Sequence, residues 1–241
     1  MVQIGYKLSS EEQRPSDLVR YAAQAEDAGF TFAMISDHYH PWIDAIDILR
    51  LLWQGGYRSH RGRHFTVENA RLYTLPTPPP PIMIAVGGPK SAELAARLGD
   101  GMVGTSPRKD MLKKFEAAGG RGTPRYGELT VCWAKDEKTA RRTAHQIWPT
   151  VAMASSLSWE LSLPKHFQEV AELVTEDAVA EQITCGPDSG KHLAAIGEFA
   201  DAGYDHVCMH QVGPDQEGFI RFYEREIIPE VTKATRRKKA A

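Results

Sequence analysis

The fold of this chain is decided by the stretch TFAMISDHYHPW at residues 31–42. Its first part, residues 32–35, is entirely apolar, and a short apolar run between turn signals is typical of a buried parallel strand. An acid, two histidines and a tryptophan follow within residues 36–42. In α/β folds, ligands bind at the carboxyl ends of the strands. We therefore predict a strand whose carboxyl end carries functional side chains.

The residues before this stretch complete a βαβ unit. Residues 2–8 are predicted to form a strand, and residues 13–29 an amphipathic helix that ends at a glycine. A strand, a helix and a second strand within about 35 residues predict parallel pairing through a right-handed crossover.

The same alternation continues along the chain and gives the fold class. Six parallel strands are predicted, at residues 2–7, 31–36, 82–86, 101–105, 128–134 and 206–211. Strands that alternate with helices indicate an α/β protein, either a (β/α) barrel or a doubly wound sheet. No G-x-G-x-x-G motif follows the first strand, which argues against a dinucleotide-binding Rossmann domain.

We predict a single barrel-like domain over residues 1–231 with two excursions. The first, residues 55–81, lies outside the barrel, and it contains a hairpin that pairs residues 64–67 with residues 70–73 and a proline-rich extended end. The second, residues 148–182, is helical. Residues 232–241 form a basic tail, which we expect to be solvated and frayed.

Composition excludes several classes of function. The chain has 241 residues, 42% of them hydrophobic and 25% charged, with a formal net charge of -2. A charge near zero gives no general attraction to nucleic acid or to an anionic membrane, and no apolar stretch is long enough to span a bilayer. The start enters a strand directly, so no signal peptide is expected. The three cysteines have no metal-binding or disulfide spacing, which favours a cytoplasmic protein.

Three segments at predicted strand ends carry groups suited to chemistry. In Asp37-His38, the histidine can transfer a proton near pH 7 beside a carboxylate. The turn at residues 87–91, GGPKS, places backbone N–H groups at a helix N-terminus, which suits a phosphate, although an ordinary βα turn has the same pattern. Thr105 and Ser106 offer hydroxyls to a ligand, with Arg108 as a nearby cation.

A metal site is the rival interpretation of the histidines. His38 and His40 form an H-x-H pair at a strand end, and His60 and His64 could add ligands for a divalent ion. The nine histidines of the chain make such spacings common by chance. His206 and His210, on one face of the last strand, are interpreted as polar lining or as hydrogen-bonded core residues.

The segment SDHYHPW resembles the signature of the luciferase-like oxidoreductases that use the deazaflavin coenzyme F420, in the branch similar to F420-dependent glucose-6-phosphate dehydrogenase. The resemblance implies a luciferase-like (β/α) TIM-type barrel, here shortened to about six parallel strands. It also implies hydride transfer between an alcohol-type small-molecule substrate and coenzyme F420, with FMN as the alternative cofactor.

The resemblance assigns roles to particular residues. His38 would transfer the proton and Trp42 would line the reaction pocket. Coenzyme-binding residues would be Asp37, Gly87, Gly88, Lys90 and Ser91, and substrate-binding residues would be Thr105, Ser106 and Arg108. Other phosphate-binding cations of the sugar-phosphate branch have no match here, so sugar phosphate is not carried over as the substrate.

The chain departs from the family between Trp42 and Ile43. There the strand end runs directly into a helix that follows the fourth strand in the family, so two βα units, on the order of 60–90 residues, are missing. The missing part would include the glutamate that is proposed as the catalytic base. Six strands do not close an ordinary barrel, so we expect a homodimer that covers the open edges. The alternatives to an active enzyme are a remnant that at most binds coenzyme and a metal-dependent hydrolase using His38 and His40.

Overall fold

The computed structural model describes residues 2–10, 12–36, 42–154, 157 and 160–240. Side chains are described within these ranges except at Trp42 and at residues 235–240. The chain divides into two compact units. The first comprises residues 1–35, 105–107 and 127–241, and the second comprises residues 36–104 and 108–126.

Strands occur at all six positions that the sequence predicted, which confirms the α/β class. The sequence missed the two-residue strand β8, because so short a strand leaves no apolar run to detect. The strands are β1 (Gln3–Leu8), β2 (Phe32–Ile35), β3 (Arg58–Arg61), β4 (Thr66–Ala70), β5 (Met83–Ala85), β6 (Gly101–Gly104), β7 (Arg125–Cys132), β8 (Thr184–Cys185) and β9 (His206–Gln211).

Helices separate most of these strands. The α-helices are α1 (Pro15–Asp27), α2 (Trp42–Leu52), α3 (Pro89–Leu98), α4 (Lys109–Phe115), α5 (Glu137–Ile147), α6 (Pro164–Ala171), α7 (Glu176–Ala180), α8 (Ser189–Ala202), α9 (Gln216–Phe222) and α10 (Ile228–Ala240). Among the described residues, no helix is both long enough and apolar enough to cross a bilayer.

Strand β1 is central to the first unit. It pairs in parallel with β2 on one side and with β9 on the other, and Gly5 lies opposite both Phe32 and Cys208. The strand order continues from β9 to β7, which also pairs with β8. The predicted βαβ unit at the start of the chain is therefore present, with parallel pairing.

The first unit packs its helices against the outer face of β1 through an aromatic cluster. The Tyr6 ring lies 5.9 Å from that of Phe30 and 6.4 Å from that of Phe219, and Tyr223 lies 4.3 Å from Phe219. The Tyr6 hydroxyl donates to Gln216 at 2.7 Å, so the buried phenol is hydrogen-bonded, as buried polar groups require. Burial raises the pKa of Tyr6. Alternation along the strand then directs Gly5 and Lys7 to the other face.

The second unit is built on the parallel pair β5 and β6. Met102 on β6 is fully buried, and Met111 and Phe115 of α4 are also buried. Helix α3 buries Ala92 and Ala95, whose small side chains allow close packing.

The hairpin of this unit has a different register from the predicted one. Strand β3 pairs antiparallel with β4, so the turn lies at residues 62–65, and not at Glu68-Asn69. The cause is Asp44 on α2, whose carboxylate accepts hydrogen bonds from the backbone N–H groups of His64 at 2.7 Å and Phe65 at 3.1 Å. These two bonds hold the turn and lower the pKa of Asp44.

The C-terminal helix also departs from expectation. The sequence predicted a helix over residues 217–234 with a break near Pro229. The irregularity comes earlier, as a π-helical turn at Tyr223–Ile227, after which α10 continues through Ala240. The backbone of the basic residues up to 240 is thus helical, whereas the sequence favoured a frayed tail.

Gly5 and Gly197 form a matched pair for testing the packing of the first unit. A Cβ at Gly5 would overlap the ring of Phe32, whereas a Cβ at Gly197, inside α8, would meet nothing within 4 Å. We expect Gly5→Ala to lower the free energy of unfolding by about 1–3 kcal/mol through overpacking. Gly197→Ala should raise it by about 0.5–1 kcal/mol. Urea unfolding at pH 7 measures both, and a neutral Gly5→Ala would contradict the packing described.

Candidate functional site

Three neighbouring parallel strands of the first unit bring polar side chains together. Lys7 is the fifth residue of β1, Glu128 lies on β7, and His210 is the fifth residue of β9. Strand β9 lies between the other two. Their side chains meet because residues of adjacent strands on one face of a sheet are neighbours.

Lys7 and Glu128 form a buried ion pair. The Lys7 ammonium donates to the Glu128 carboxylate at 2.6 Å, and the two side chains are only 6% and 15% exposed. Removing two charges from water is costly, and their attraction offsets that cost only while both partners are present. Each residue therefore depends on the other.

His210 extends this pair toward the end of β1. Its Nε2 lies 3.1 Å from the Ser9 hydroxyl, and its Nδ1 lies 3.7 Å from the second carboxylate oxygen of Glu128. The indole of Trp148, which follows α5, meets the imidazole edge-on at 5.0 Å. His210 and Ser9 are 4% and 3% exposed. We call Lys7, Glu128, His210 and Ser9 the polar cluster.

Sequence reasoning found only part of this cluster. It interpreted His210 as polar lining or a hydrogen-bonded core residue, and the burial and the Ser9 contact agree with the second description. It singled out neither Lys7 nor Glu128. A lysine inside the apolar strand QIGYKL was an available signal, because a charge at a buried strand position requires a partner.

The Gly87-Gly88 turn lies in the second unit, between β5 and α3. The Ser91 hydroxyl accepts hydrogen bonds from the N–H groups of Gly87 at 3.2 Å and Gly88 at 3.1 Å, and it donates to the Gly88 carbonyl at 2.9 Å. Ser91 therefore orders the turn.

Neither glycine is required by the protein's own structure. Gly88 has an extended backbone, with φ of -159°, that any residue can adopt. A Cβ at Gly87 or at Gly88 would meet nothing within 4 Å. The turn thus leaves open space beside its backbone, next to the first turn of α3, where helices present N–H groups without intrahelical partners. Lys90 is exposed at the same place. An anion fits these features.

The predicted substrate residues lie on an exposed segment. Thr105, Ser106 and Arg108 are all exposed. The Ser106 carbonyl accepts a hydrogen bond from Tyr204 at 3.1 Å. The Arg108 guanidinium binds Asp110 at 2.5 Å and lowers the pKa of that carboxyl. Arg108 is therefore already engaged in an ion pair.

The predicted catalytic segment lies largely outside the described residues. Asp37, His38 and His40 belong to it, and Trp42 is the first residue of α2, with a side chain that is likewise outside the description. Their roles therefore stay predictions.

The metal interpretation receives no support from the part of the chain that the structure describes. Within that part, no group of three or more His, Cys, Asp or Glu side chains could hold a metal ion. Near His64, the Asp44 carboxylate has a structural role, because it accepts the backbone N–H bonds of His64 and Phe65 that close the β3–β4 turn.

The three cysteines are buried and free, as small core residues would be. Cys132 and Cys185 are paired in register on β7 and β8. Burial raises the pKa of Cys132 to about 12 and that of Cys185 to about 11. Thiols so far from ionisation are poor nucleophiles and poor metal ligands.

A comparison with protein families decides the affiliation of the chain. The family described as luciferase-like monooxygenase matches residues 43–206, about two thirds of the chain. The chain belongs to this family. The match begins at Ile43. This is the residue that follows the predicted missing segment, which the sequence places between Trp42 and Ile43.

Curated relatives show that the chain is shortened internally. It is 22% identical to the F420-dependent glucose-6-phosphate dehydrogenase of Microbacterium testaceum, over 96% of this chain and 98% of that protein. That alignment spans 330 residues although the chain has 241. Because nearly all of both proteins is covered, the shortfall is internal. The F420-dependent hydroxymycolic acid dehydrogenase of Mycobacterium tuberculosis is 32% identical, over 83% of this chain and 56% of that protein.

Solved structures confirm the fold. An F420-dependent secondary alcohol dehydrogenase in complex with an F420-acetone adduct matches with a TM-score of 0.70 at 21% identity, covering 93% of this chain and 98% of that one. The coenzyme F420-dependent tetrahydromethanopterin reductase of Methanopyrus kandleri matches with a TM-score of 0.68 at 17% identity, covering 95% and 99%. The chain therefore has a luciferase-like TIM-barrel fold shortened to six principal parallel strands.

The buried ion pair makes a direct prediction for stability. Lys7→Met leaves the Glu128 carboxylate buried without its cation and should lower the free energy of unfolding by about 3–5 kcal/mol. Lys7→Met combined with Glu128→Leu should lose less than Lys7→Met alone, because no charge is left unpaired. Arg20→Met, which removes the exposed pairs with Asp17 and Glu217, is the control and should cost less than about 1 kcal/mol. Urea unfolding measures all three, and a Lys7→Met protein as stable as the control would contradict the pairing.

Proposed function

We propose that this chain is an F420-dependent oxidoreductase that transfers a hydride between an alcohol-type carbon and the deazaflavin. Its family membership and the names of its curated relatives support this proposal. Within the structure, the observation that carries it is the Gly87-Gly88 turn. Neither packing nor backbone conformation requires a glycine at these two positions, and the space beside them is open.

The turn fits the phosphate-bearing part of the coenzyme. Glycines permit close approach of a ligand to the backbone, and the N-terminus of α3 with the Lys90 ammonium favours negative charge. Ser91 holds the turn in shape through its three hydrogen bonds. We assign Gly87, Gly88, Lys90 and Ser91 to coenzyme binding, together with Asp37. The same anionic features suit FMN, which remains the alternative cofactor.

Coenzyme F420, when bound, would supply the hydride acceptor or donor. Oxidation of an alcohol carbon gives up a hydride and, from the hydroxyl, a proton. We assign the proton to His38, because an imidazole both accepts and releases a proton near neutral pH. Trp42 would shape the pocket by excluding water. Thr105, Ser106 and Arg108 are assigned to substrate binding, with Arg108 released from Asp110 when an anionic substrate is present.

The internal shortfall favours a second candidate function. If the missing segment carried the catalytic base, the chain would be a remnant that at most binds coenzyme. Binding without turnover would identify this case.

The assembly and location are also proposals. Strand β2 is an edge strand of the sheet in the first unit, and its Ile35 side chain is 62% exposed. A partner strand or helix would cover such an edge, so we propose a homodimer. The buried free thiols suit a reducing compartment, so we propose the cytoplasm.

Substitution at Gly88 tests the coenzyme site. A Cβ at Gly88 meets nothing within 4 Å, so Gly88→Val should enter the open space beside the turn. Because Gly88 is the N-cap of α3 and valine is a poor N-cap residue, the free energy of unfolding should fall by about 1 kcal/mol. The Kd for F420 should rise at least tenfold, because the valine side chain occupies the volume that the ligand needs. A fluorescence titration measures binding, with Gly197→Ala as a control that should bind like the wild type.

Three outcomes are informative. Loss of affinity in Gly88→Val alone supports the assigned site. Equal affinity in the variant and the wild type would place the coenzyme elsewhere. Tight binding of FMN but not of F420 by the wild type would replace the proposed cofactor.

A further inference from the structure

A cleft in the second unit has no role in the function proposed above. It has a volume of about 540 Å³, and it lies between the end of α2 and the proline-rich segment that leads into β5. Its lining comprises Arg50, Trp53, Gln54, Asp100 and the prolines at positions 79–81. Small-molecule sites are typically clefts of about 300–1,000 Å³ with mostly apolar walls and a few polar groups. The cleft has this size and this composition.

The cleft is remote from the Gly87-Gly88 turn. Asp100 comes directly before β6, and the prolines lead through Ile82 into β5, so the cleft lies at the amino ends of these two parallel strands. The turn follows β5 at its carboxyl end. Five residues separate Ile82 from Gly87, which is about 16 Å of extended chain. A ligand in the cleft would therefore occupy a second site.

Hydrogen bonds hold the walls of the cleft in place. The Asp100 N–H donates to the Ile82 carbonyl, and the Ile82 N–H donates to one oxygen of the Asp100 carboxylate, both at 2.8 Å. Arg50 Nη2 donates to the other carboxylate oxygen at 3.1 Å and to the Leu98 carbonyl at 2.9 Å. The proline wall is stiff because each ring fixes its φ angle. Walls that are ordered before binding reduce the entropy cost of binding a ligand.

Arg50 keeps hydrogen-bond donors for a ligand. A guanidinium has five N–H groups, and among the residues that the structure describes only Nη2, which carries two of them, is bonded. Nε and Nη1 form the fork that matches a carboxylate, and the Arg50 side chain is 46% exposed. Both oxygens of Asp100 are already bonded. The polar part of the cleft therefore favours a ligand that accepts hydrogen bonds.

The negative ends of the two helices beside the cleft are capped by arginines. Arg50 donates to the Leu98 carbonyl at the end of α3, and Arg58 donates to the Gly55 carbonyl after the end of α2 at 2.7 Å. These two cations and the single carboxylate of Asp100 give a local charge balance of one positive charge. An anionic group is therefore favoured beside Arg50.

Trp53 and the prolines form the apolar part of the cleft. An indole favours a flat aromatic ring through stacked or edge-to-face contacts. The three aliphatic proline rings add apolar area to the same cleft. The body of a matching ligand is therefore flat and apolar.

We propose that this cleft binds a small aromatic carboxylate. The ring packs against Trp53 and the prolines, and the carboxylate accepts hydrogen bonds from Nε and Nη1 of Arg50. The site goes beyond the proposed function, because it uses none of the residues assigned to coenzyme or substrate.

Calorimetric titration of the full chain with 2-naphthoate at pH 7 tests the site. We expect saturable one-to-one binding with a Kd below about 1 mM, which suits a ligand of this size. The neutral analogue 2-naphthamide should bind at least about tenfold more weakly, because it lacks the charge that pairs with Arg50. This comparison needs no change to the protein. The Kd for 2-naphthoate should be the same within about twofold when coenzyme F420 is present, because the two sites are separate.

Two variants locate the binding. Arg50→Met should raise the Kd for 2-naphthoate at least about tenfold through loss of the charged hydrogen bonds. Trp53→Leu keeps an apolar side chain but removes the ring, and it should raise the Kd about fivefold. The control is Arg20→Met, which removes a cation of the first unit that does not line the cleft, and it should bind like the wild type.

The outcomes separate this proposal from the proposed function. The proposal is overturned if 2-naphthoate does not bind at millimolar concentration, or if the acid and the amide bind equally. Unchanged affinity in Arg50→Met and Trp53→Leu, or displacement of 2-naphthoate by F420, overturns it too. A wild type that binds 2-naphthoate as expected but does not bind F420 contradicts the proposed function and supports the cleft.

Discussion

The ion pair between Lys7 and Glu128 is the constraint on which the inner face of the first unit depends. Two charges this deeply buried are tolerated only in contact, so β1 and β7 must hold Lys7 and Glu128 within reach of each other across β9. Strand β9 must place a compatible side chain between them, and His210 satisfies this need by approaching Glu128 on one side and Ser9 on the other. The outer face is built differently, from aromatic rings whose buried hydroxyls are hydrogen-bonded, Tyr6 to Gln216 and Tyr223 to His192.

The second unit contains two kinds of glycine: one kind is required by close packing inside the protein, and the other leaves space for a ligand. Gly101 is needed because a Cβ there would crowd the Pro124 carbonyl at 2.6 Å. Gly87 and Gly88 meet no such demand, since the space beside them is open. A glycine that the protein itself does not require is most simply explained by something that approaches it from outside. The family affiliation makes the coenzyme the natural candidate.

The sequence predicted the parts of the fold that depend on local pattern. Apolar runs located the six principal strands, and the glycines after β5 located the turn before α3. Features that depend on distant partners could not be predicted. Lys7 and Glu128 are 121 positions apart in the chain, and the local sequence around either residue does not identify the other as its partner. The hairpin register was wrong for the same reason, because Asp44 selects the turn from a helix about 20 residues away. The internal shortfall, in contrast, was predictable, since the SDHYHPW segment is followed at once by a helix that belongs later in the family.

The central claim is that this shortened barrel still carries out F420-dependent oxidation, with His38 handling the proton. The most direct measurement is the absorbance of coenzyme F420 during incubation of the purified protein with a panel of secondary alcohols, run beside His38→Ala. The account predicts reduction of F420 by the wild type, and a rate at least about 100-fold lower in His38→Ala with coenzyme binding unchanged. Saturable F420 binding without any reduction across the panel would contradict it and would identify the chain as a coenzyme-binding remnant.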